Sequence, residues 1–380
     1  MGQIRKRAHR RRREEGIPGS VNWSELCPDL LRRVFERLSF TVLNRAKSVC
    51  SSWHSASKGC IPNRNQIPWL IIFPNKSNKS NTGSCVLFVP EDKDKVYKTR
   101  DLGVEFAKSR CLMTCGSWLL MSCPRRDVYM INPLTGERID LPNTGKLRDS
   151  LKWEKACFWI DNETKDYIVI WRMAGCSMFI KKGDDNKWHE FPLSSWREDM
   201  IFNPKNQKLY LYHPNNHINI WDFSGDKPLQ EDGSHLDSFC FNHYDFPNYI
   251  DEESEEELYW EKLLHDTTRI AVTVSGQVLM VASIMFSCKT WHFRVYKRDL
   301  VQSRWVKLDS LGNQALIYDM GITVVAKGIP GIKRNSIYFS GRDDPDQIFV
   351  YHLSTQKMQT LPPHVFSSVH FSHARWFLPS

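Results

Sequence analysis

The sequence has 380 residues, of which 41% are hydrophobic and 25% are charged. These fractions are typical of a folded chain and exclude a disordered one, and the length allows two or three domains of about 150 residues each. No stretch approaches the roughly 18 apolar residues that a membrane-spanning helix needs, so we expect a soluble protein without a membrane partner. The 14 Trp, 12 Tyr and 20 Phe favour β structure, because aromatic residues are enriched in strands.

The net charge of +9 is concentrated near residue 1. Residues 1–13 carry seven positive charges and no acid, which leaves a net charge of +2 for residues 14–380. Because the rest of the chain is nearly neutral, a nucleic-acid partner is not favoured. Dense basic runs are typical of nuclear import signals, with a solvated tail or non-specific RNA contact as the alternative. We expect a basic disordered arm over 1–20, a location in the nucleus and cytoplasm, and import that depends on Arg5, Lys6, Arg7, Arg10, Arg11, Arg12 and Arg13.

The 11 cysteines are an odd number, and no apolar secretory segment precedes them. We therefore interpret them as reduced thiols of the cytosol or nucleus. Cys111, Cys115 and Cys123 cluster in the sequence, but their spacing is not that of a zinc site. Their apolar neighbours indicate packed strands, so we predict core thiols rather than metal ligands.

Residues 22–60 are the part of the chain with helical periodicity. The first run of apolar residues has the spacing of one helix face, and Pro28 suits its first turn: Leu30, Leu31, Val34, Phe35 and Leu38. Two shorter runs follow, one through Leu43, Ala46, Val49 and Cys50 and one around Trp53 and Ala56. Three short helices make a very small core, so we expect a partner to cover part of their apolar surface. The alternative is that they pack against the rest of the chain.

Beyond Pro68, short apolar runs alternate with polar turns, as in Trp69–Phe73, Cys85–Val89, Tyr167–Trp171 and Val278–Ile284. A loose repeat consists of a strand, a turn and a second strand that ends in an apolar residue and often Pro. It occurs four times: Val128–Pro142, Met178–Pro192, Arg294–Leu308 and Ile348–Pro362. Steps of about 50 residues, with one double step, are typical of the four-stranded blades of a propeller. Residues 69–380 would then form about six blades.

The longest interval between two repeats, from Pro192 to Arg294, contains the acidic run 251–257. A run of like charges cannot form the core of a strand, so we interpret the segment near 245–262 as a solvated loop insertion. A docking segment for a basic partner is the alternative.

The sequence has none of the motifs that identify common catalytic sites. It lacks the nucleophile elbow, the zinc-protease helix, the phosphate-binding lysine loop and the dinucleotide-binding glycine pattern. We predict a non-catalytic protein with no cofactor and no metal. A propeller pocket built from residues scattered in the sequence stays open as an alternative.

The helical segment resembles an F-box, the module by which receptors of ubiquitin ligases bind a Skp-type adaptor. The resemblance rests on Trp23–Leu38 followed by Leu43–Trp53. Cys27 stands where the family usually has the Pro of its Leu-Pro start, and Pro28 follows directly. The resemblance implies that the adaptor-binding positions are Leu26, Pro28, Leu30, Leu31, Val34, Leu38, Val49, Cys50 and Trp53.

The rest of the chain resembles the propeller domain of plant F-box proteins of the KIB type. The similar segments, in order, are Cys115–Leu120, Ile131–Pro142, Trp305–Gly312 and Trp376–Ser380. The predicted fold is therefore mainly β with a small α module, a three-helix F-box over 21–62 followed by a KIB-type β-propeller over 69–380.

This organisation implies a substrate-recognition subunit of an SCF-type cullin ubiquitin ligase. Its partners would be a Skp-type adaptor, a cullin scaffold and an unidentified target protein held by the propeller. The alternatives are an F-box/propeller protein that acts outside a ligase, or a propeller with an unrecognised small-molecule site.

Overall fold

The structure is a computed structural model that describes residues 23–38, 40–58, 60, 68–74, 83–89, 96–124, 127–143, 155–173, 176–184, 187–192, 199–213, 217–231, 263–286, 291–299, 304–327, 332–340, 348–360 and 371–378. The chain divides into two units, Met1–Arg64 and Asn65–Ser380. The predicted basic arm over 1–20 and the acidic insertion near 245–262 lie outside the described residues. Among the described residues, none of the helices has the length and apolar character to span a membrane.

The first unit contains a 3₁₀ turn and three short helices. The turn is Trp23–Glu25, and the helices are α1 (Pro28–Phe35), α2 (Phe40–Ala46) and α3 (Ser51–Ser57). Pro28 is the first residue of α1. The backbone N–H at this position has no partner within a helix, so proline, which lacks the N–H, is well tolerated there. The helices coincide with the three predicted runs, except that Leu38 follows the end of α1 and that Val49 and Cys50 lie between α2 and α3.

The helical unit has a small core of its own. Leu31 and Phe35 of α1 pack with Leu43 and Ala46 of α2 and with Ala56 of α3. Four further side chains pack against this core while partly exposed: Leu26, Leu38, Trp53 and Cys60.

The second unit begins with three four-stranded antiparallel sheets. The first combines β1 (Trp69–Pro74), β2 (Val86–Phe88) and β3 (Val96–Lys98) with the last strand of the chain, β25 (Phe371–Phe377). A five-residue helix, α4 (Val104–Lys108), leads to the second sheet of β4 (Arg110–Cys115), β5 (Trp118–Ser122), β6 (Val128–Ile131) and β7 (Arg138–Asp140). The third contains β8 (Lys155–Ile160), β9 (Tyr167–Met173), β10 (Cys176–Lys181) and β11 (His189–Glu190).

Two further sheets complete the described part of this unit. The fourth contains β12 (Asp199–Asn203), β13 (Lys208–His213), β14 (His217–Asp222) and β15 (Leu229–Gln230). The fifth has nine strands: β16 (Leu263–Val272), β17 (Val278–Phe286), β18 (Trp291–Asp299), β19 (Arg304–Leu308), β20 (Gln314–Ile317), β21 (Ile322–Val325), β22 (Ser336–Ser340), β23 (Ile348–His352) and β24 (Lys357–Thr360). A 3₁₀ turn, Tyr318–Met320, joins β20 to β21.

The predicted repeats are hairpins at the edges of the second, third and fifth sheets, with one at each edge of the fifth. They correspond to β6–β7, β10–β11, β18–β19 and β23–β24. A further hairpin, β14–β15, falls inside the double step, before the acidic run. Its second strand, Leu229–Gln230, has neither the apolar end nor the Pro of the other repeats, so the sequence pattern did not predict it.

The mainly β fold after a small helical module is confirmed, whereas about six blades stays a prediction. The nine-stranded sheet joins two strand groups, because β21 pairs in parallel with β16 through Val272 and Ile322. The hydrophobic core lies between neighbouring sheets. Trp118 and Trp171 share one layer between the second and third sheets, and Phe179 and Phe223 share the next.

The last strand closes the second unit. β25 pairs with β1 from Trp69 opposite Phe377 to Pro74 opposite Phe371. The Thr114 hydroxyl of β4 also donates a hydrogen bond to the Trp376 carbonyl over 2.6 Å. The last strand of the chain therefore completes the sheet that the first strand begins, which closes the propeller.

Candidate partner-binding surface of the helical unit

The apolar stripe of α1 divides into two sets that point in opposite directions. Leu31 and Phe35 are buried in the core, with 1% and 0% of their surface exposed. Leu30 and Val34 keep 52% and 45% of their surface exposed. Residues four apart lie on the same side of a helix, so each pair is a neighbouring pair. A helix of only eight residues thus supports the core and presents an apolar surface at the same time.

Three more large apolar side chains of this unit are exposed. Val49, in the turn between α2 and α3, keeps 62% of its surface exposed, and Trp23 and Val42 are also exposed. We call the five residues Trp23, Leu30, Val34, Val42 and Val49 the exposed apolar set. Single exposed apolar residues are ordinary, but five within so small a unit are typical of a surface that a partner covers.

The structure places the nine predicted adaptor-binding residues in different environments. Leu31 is part of the core, and Leu26, Leu38 and Trp53 are half-buried against it. Pro28, Leu30, Val34 and Val49 are exposed, and Cys50 is half-buried. The core residue Leu31 and the three residues packed against it can support the surface from beneath. The four exposed residues and Cys50 can contact a partner directly. Val42 and Trp23 are exposed apolar residues that the prediction omitted.

Trp53 holds the start of the unit against α3. Its ring meets the ring of Phe35 edge-on, with centroids 5.4 Å apart. Its indole Nε1–H donates a hydrogen bond to the carbonyl of Trp23 over 3.1 Å. A half-buried tryptophan usually needs such a partner for its N–H group. Trp53 therefore positions Trp23, the first residue of the exposed apolar set.

Charged side chains of α1 lie beside its exposed apolar residues. The guanidinium of Arg32 contacts the carboxylate of Asp29 over 3.1 Å, and both side chains are exposed. An exposed pair of this kind contributes little to stability. Arg33 and Arg37 are also exposed. Apolar residues bordered by charged ones are the usual composition of a protein interface.

Cys50 caps the start of α3 and has an unusual thiol. Its Sγ lies 3.0 Å from the Ser52 hydroxyl oxygen. Hydrogen bonds from the Ser52 side chain and the Trp53 backbone lower the pKa of the thiol below its ordinary value. Hydrogen bonds to a thiolate favour the charged form, which is the nucleophilic form of cysteine.

The predicted cysteine cluster of the second unit has the opposite character. Cys111 and Cys115 belong to β4, and Cys123 directly follows β5. Burial raises the pKa of both Cys111 and Cys115 to about 11. These two thiols are consequently protonated at neutral pH.

Comparison with known protein families gives two matches along the chain. The F-box domain family matches residues 23–65, which include the 3₁₀ turn and all three helices. The KIB1-4 β-propeller family matches residues 87–352, which extend from the first to the last sheet.

Relatives in Arabidopsis thaliana match the whole arrangement. The F-box protein At2g05970 is 48% identical over 367 residues, which are 95% of this chain and 97% of the relative. The F-box protein At1g69090 is 41% identical over 381 residues, which are 94% of this chain and 92% of the relative. Among solved structures, a DUF4784 family protein from Bacteroides caccae aligns over 84% of this chain and 75% of its own, with 10% identity and a TM-score of 0.39. That likeness is too low to add to the argument. The two family matches and the near full-length relatives show that this chain belongs to the plant F-box proteins with a C-terminal KIB1-4 β-propeller.

Proposed function

We propose that the chain is a substrate-recognition subunit of an SCF-type cullin ubiquitin ligase, with the F-box on a Skp-type adaptor and the propeller on a target protein. This proposal rests on the exposure of Leu30, Val34 and Val49, three residues that the family resemblance implies to be adaptor-binding. Burying one such side chain contributes on the order of 1.5 to 3 kcal/mol. Three together can supply most of the free energy of a micromolar complex.

The contribution of this chain to ubiquitin transfer is proximity. An F-box protein is generally a non-catalytic subunit, and the proposal needs no covalent step on this chain. A receptor that holds its target near the ubiquitin-loaded enzyme raises the effective concentration of the target's lysines. The cullin is reached through the adaptor, so it needs no surface of its own on this chain.

The propeller supports the target-binding part of the proposal by its architecture. Short strands packed as neighbouring sheets give a rigid scaffold, and the loops that join them gather at its two ends. Loops on a rigid scaffold are where binding residues concentrate. The target is therefore expected to bind the second unit and not the helices.

We also propose that the basic residues of 1–13 direct nuclear import, with the protein present in both nucleus and cytoplasm. The support is compositional, since seven Lys and Arg occur there without an acid. Import receptors recognise basic runs of this density.

The test is affinity purification of the full-length chain from plant cells, with adaptor and cullin quantified in the same sample. Val34→Lys places a charge in the exposed apolar set, and Val104→Lys places one at an exposed valine of α4 in the propeller. We expect Val34→Lys to lose both partners and Val104→Lys to keep both. Adaptor capture without cullin would contradict the ligase proposal and favour a role outside a ligase. Equal capture by both variants would contradict adaptor binding through this surface.

A further inference from the structure

A cavity lies where strands of all five sheets meet. It has a volume of about 350 Å³ and is lined by β4, β8, β12, β16, β25 and the Tyr318–Met320 turn. These strands contact one another in sequence, β25 with β4, β4 with β8, β8 with β12 and β12 with β16. The cavity is therefore at the centre of the propeller. Its size is within the range of small-molecule sites, which begin at about 300 Å³.

The lining of this central cavity carries more positive than negative charge. Four basic side chains line it, and two acidic ones: Arg110, Lys155, Arg269 and Arg375, with Asp199 and Asp319. Three of the six are the first residues of their strands, namely Arg110 of β4, Lys155 of β8 and Asp199 of β12. The excess of positive charge arises from residues far apart in the sequence, on different sheets.

Both carboxylates are engaged by neighbouring groups of the protein. Asp199 accepts a hydrogen bond from the backbone N–H of Ile270 over 3.0 Å and lies 3.4 Å from the Lys155 ammonium. Asp319 accepts hydrogen bonds from the backbone N–H and the hydroxyl of Ser340, over 2.8 and 2.9 Å. These contacts hold both carboxylates in place. Asp199 pairs with Lys155, and both Asp199 and Asp319 also interact electrostatically with Arg269.

Arg269 packs over an aromatic ring that is itself held in place. Its guanidinium carbon lies 4.8 Å from the centre of the Tyr318 ring. The Tyr318 hydroxyl is fixed in turn by a 2.7 Å hydrogen bond with the Ser283 hydroxyl. Burial lowers the pKa of Arg269, but Tyr318, Asp199 and Asp319 raise it by more, so the guanidinium stays charged. A stacked, immobilised guanidinium is pre-organised for bidentate recognition of a phosphate or carboxylate.

Arg375 provides a second guanidinium at the same cavity. Arg375 lies in β25, the strand that closes the propeller, and its side chain is exposed. Two guanidinium groups at one cavity favour an anionic ligand, because the surrounding protein screens charge less than water does.

We propose that this central cavity binds a compact polyvalent anion, a phosphorylated or polycarboxylated small molecule, through Arg269 and Arg375. The described lining residues belong to the propeller, so this ligand site does not rest on the adaptor or the ligase. It assigns to the propeller a ligand site in addition to a target-binding surface.

Calorimetric titration of the full-length chain at low ionic strength tests this site with two probes. Inorganic pyrophosphate represents the phosphorylated class and citrate the polycarboxylated class. We expect at least one probe to bind with a single site, and Arg269→Gln and Arg375→Gln each to weaken it by about tenfold or more, the usual effect of losing a charge-assisted hydrogen bond. Arg334→Gln, at an exposed arginine before β22 and outside the cavity lining, is the matched control and should bind as the parent chain does.

The outcomes are distinct. Binding of pyrophosphate alone or citrate alone supports the site and identifies its ligand class. Absence of binding by both probes at millimolar concentration overturns the proposal. An equal loss in Arg334→Gln and the cavity variants also overturns it, since attraction by overall charge would then suffice. If Arg269→Gln fails to fold, the exposed Arg375→Gln carries the test, with Arg269→Lys as the conservative variant of the immobilised residue.

Discussion

Leu30 and Leu31 are consecutive residues of α1 with opposite environments. Leu31 is 1% exposed and packs with Phe35, Leu43 and Ala46, whereas Leu30 is 52% exposed. Successive helical residues are rotated by about 100° from each other, so a helix that packs on one side separates them. The two residues therefore make different contributions, which substitution by Ala can distinguish.

Leu31→Ala should destabilise the helical unit, and Leu30→Ala should not. Truncating a buried Leu costs about 2 to 5 kcal/mol, while an exposed site usually changes stability by less than about 0.5 kcal/mol. Hydrogen exchange of the α1 amides in the full-length chain measures the difference. Leu30→Ala should instead weaken adaptor binding by about tenfold or more, as the lost burial of a Leu side chain predicts. Equal protection of α1 in the two variants would contradict this division of roles.

Cys50 should report adaptor binding through its reactivity. Because the pKa of its thiol is lowered, more of it is thiolate at neutral pH, and it should react with iodoacetamide faster than Cys111 or Cys115, whose pKa values are raised to about 11. Pulsed alkylation followed by peptide mass spectrometry measures all three sites in one sample. Added adaptor should slow the reaction at Cys50, which lies beside Val49 of the exposed apolar set.

Ser52→Ala is the control for the cause of this reactivity. It removes the side-chain hydrogen bond that contributes most to lowering the pKa of Cys50. Alkylation of Cys50 in that variant should be slower at neutral pH in the absence of adaptor. An unchanged rate would show that the hydrogen bond does not set the thiol's reactivity.

Removing the last strand should open the propeller. Trp376 is buried, and its ring meets that of Tyr338 edge-on, with centroids 5.7 Å apart. Trp376→Ala should cost about 3 to 5 kcal/mol, as other truncations of buried aromatic residues do. Deleting residues 371–380 should have a larger effect, because the deletion also leaves an edge of β1 unpaired.

Urea unfolding monitored by tryptophan fluorescence measures these changes. Deletion of residues 379–380 is the matched control, since it leaves β25 intact. Parent-like midpoints for the longer deletion would show that β25 does not close the fold.

Deleting residues 2–13 should shift a fluorescent fusion of the full chain toward the cytoplasm. The physical reason is loss of the seven positive charges that an import receptor would bind. A chain of unchanged length in which the seven basic residues are replaced by Gln tests whether their charge is responsible. An unchanged nuclear fraction in the deletion would remove the targeting proposal.

The sequence by itself determined the helical module and much of the strand pattern. The apolar spacing around Leu31 and Phe35 gives α1, and the turn after Ile131 gives the β6–β7 hairpin, because both depend on neighbours within a few residues. Motif resemblance extended these local signals to a family. The hairpin β14–β15 was not predicted, because its second strand, Leu229–Gln230, lacks the apolar end and the Pro that identified the other repeats.

Only the tertiary structure decided which residues of those elements face a partner and which residues meet at the centre. The periodicity of α1 placed Leu30 and Leu31 in one wide stripe, and only the positions of α2 and α3 determined which of them is buried. Arg110, Arg269 and Arg375 line one cavity although they are far apart in the sequence. Their meeting depends on the closure of β25 against β1, a pairing of the first and last strands of the propeller. Such long-range pairing is set by the packing of whole sheets, so no local pattern of residues specifies it.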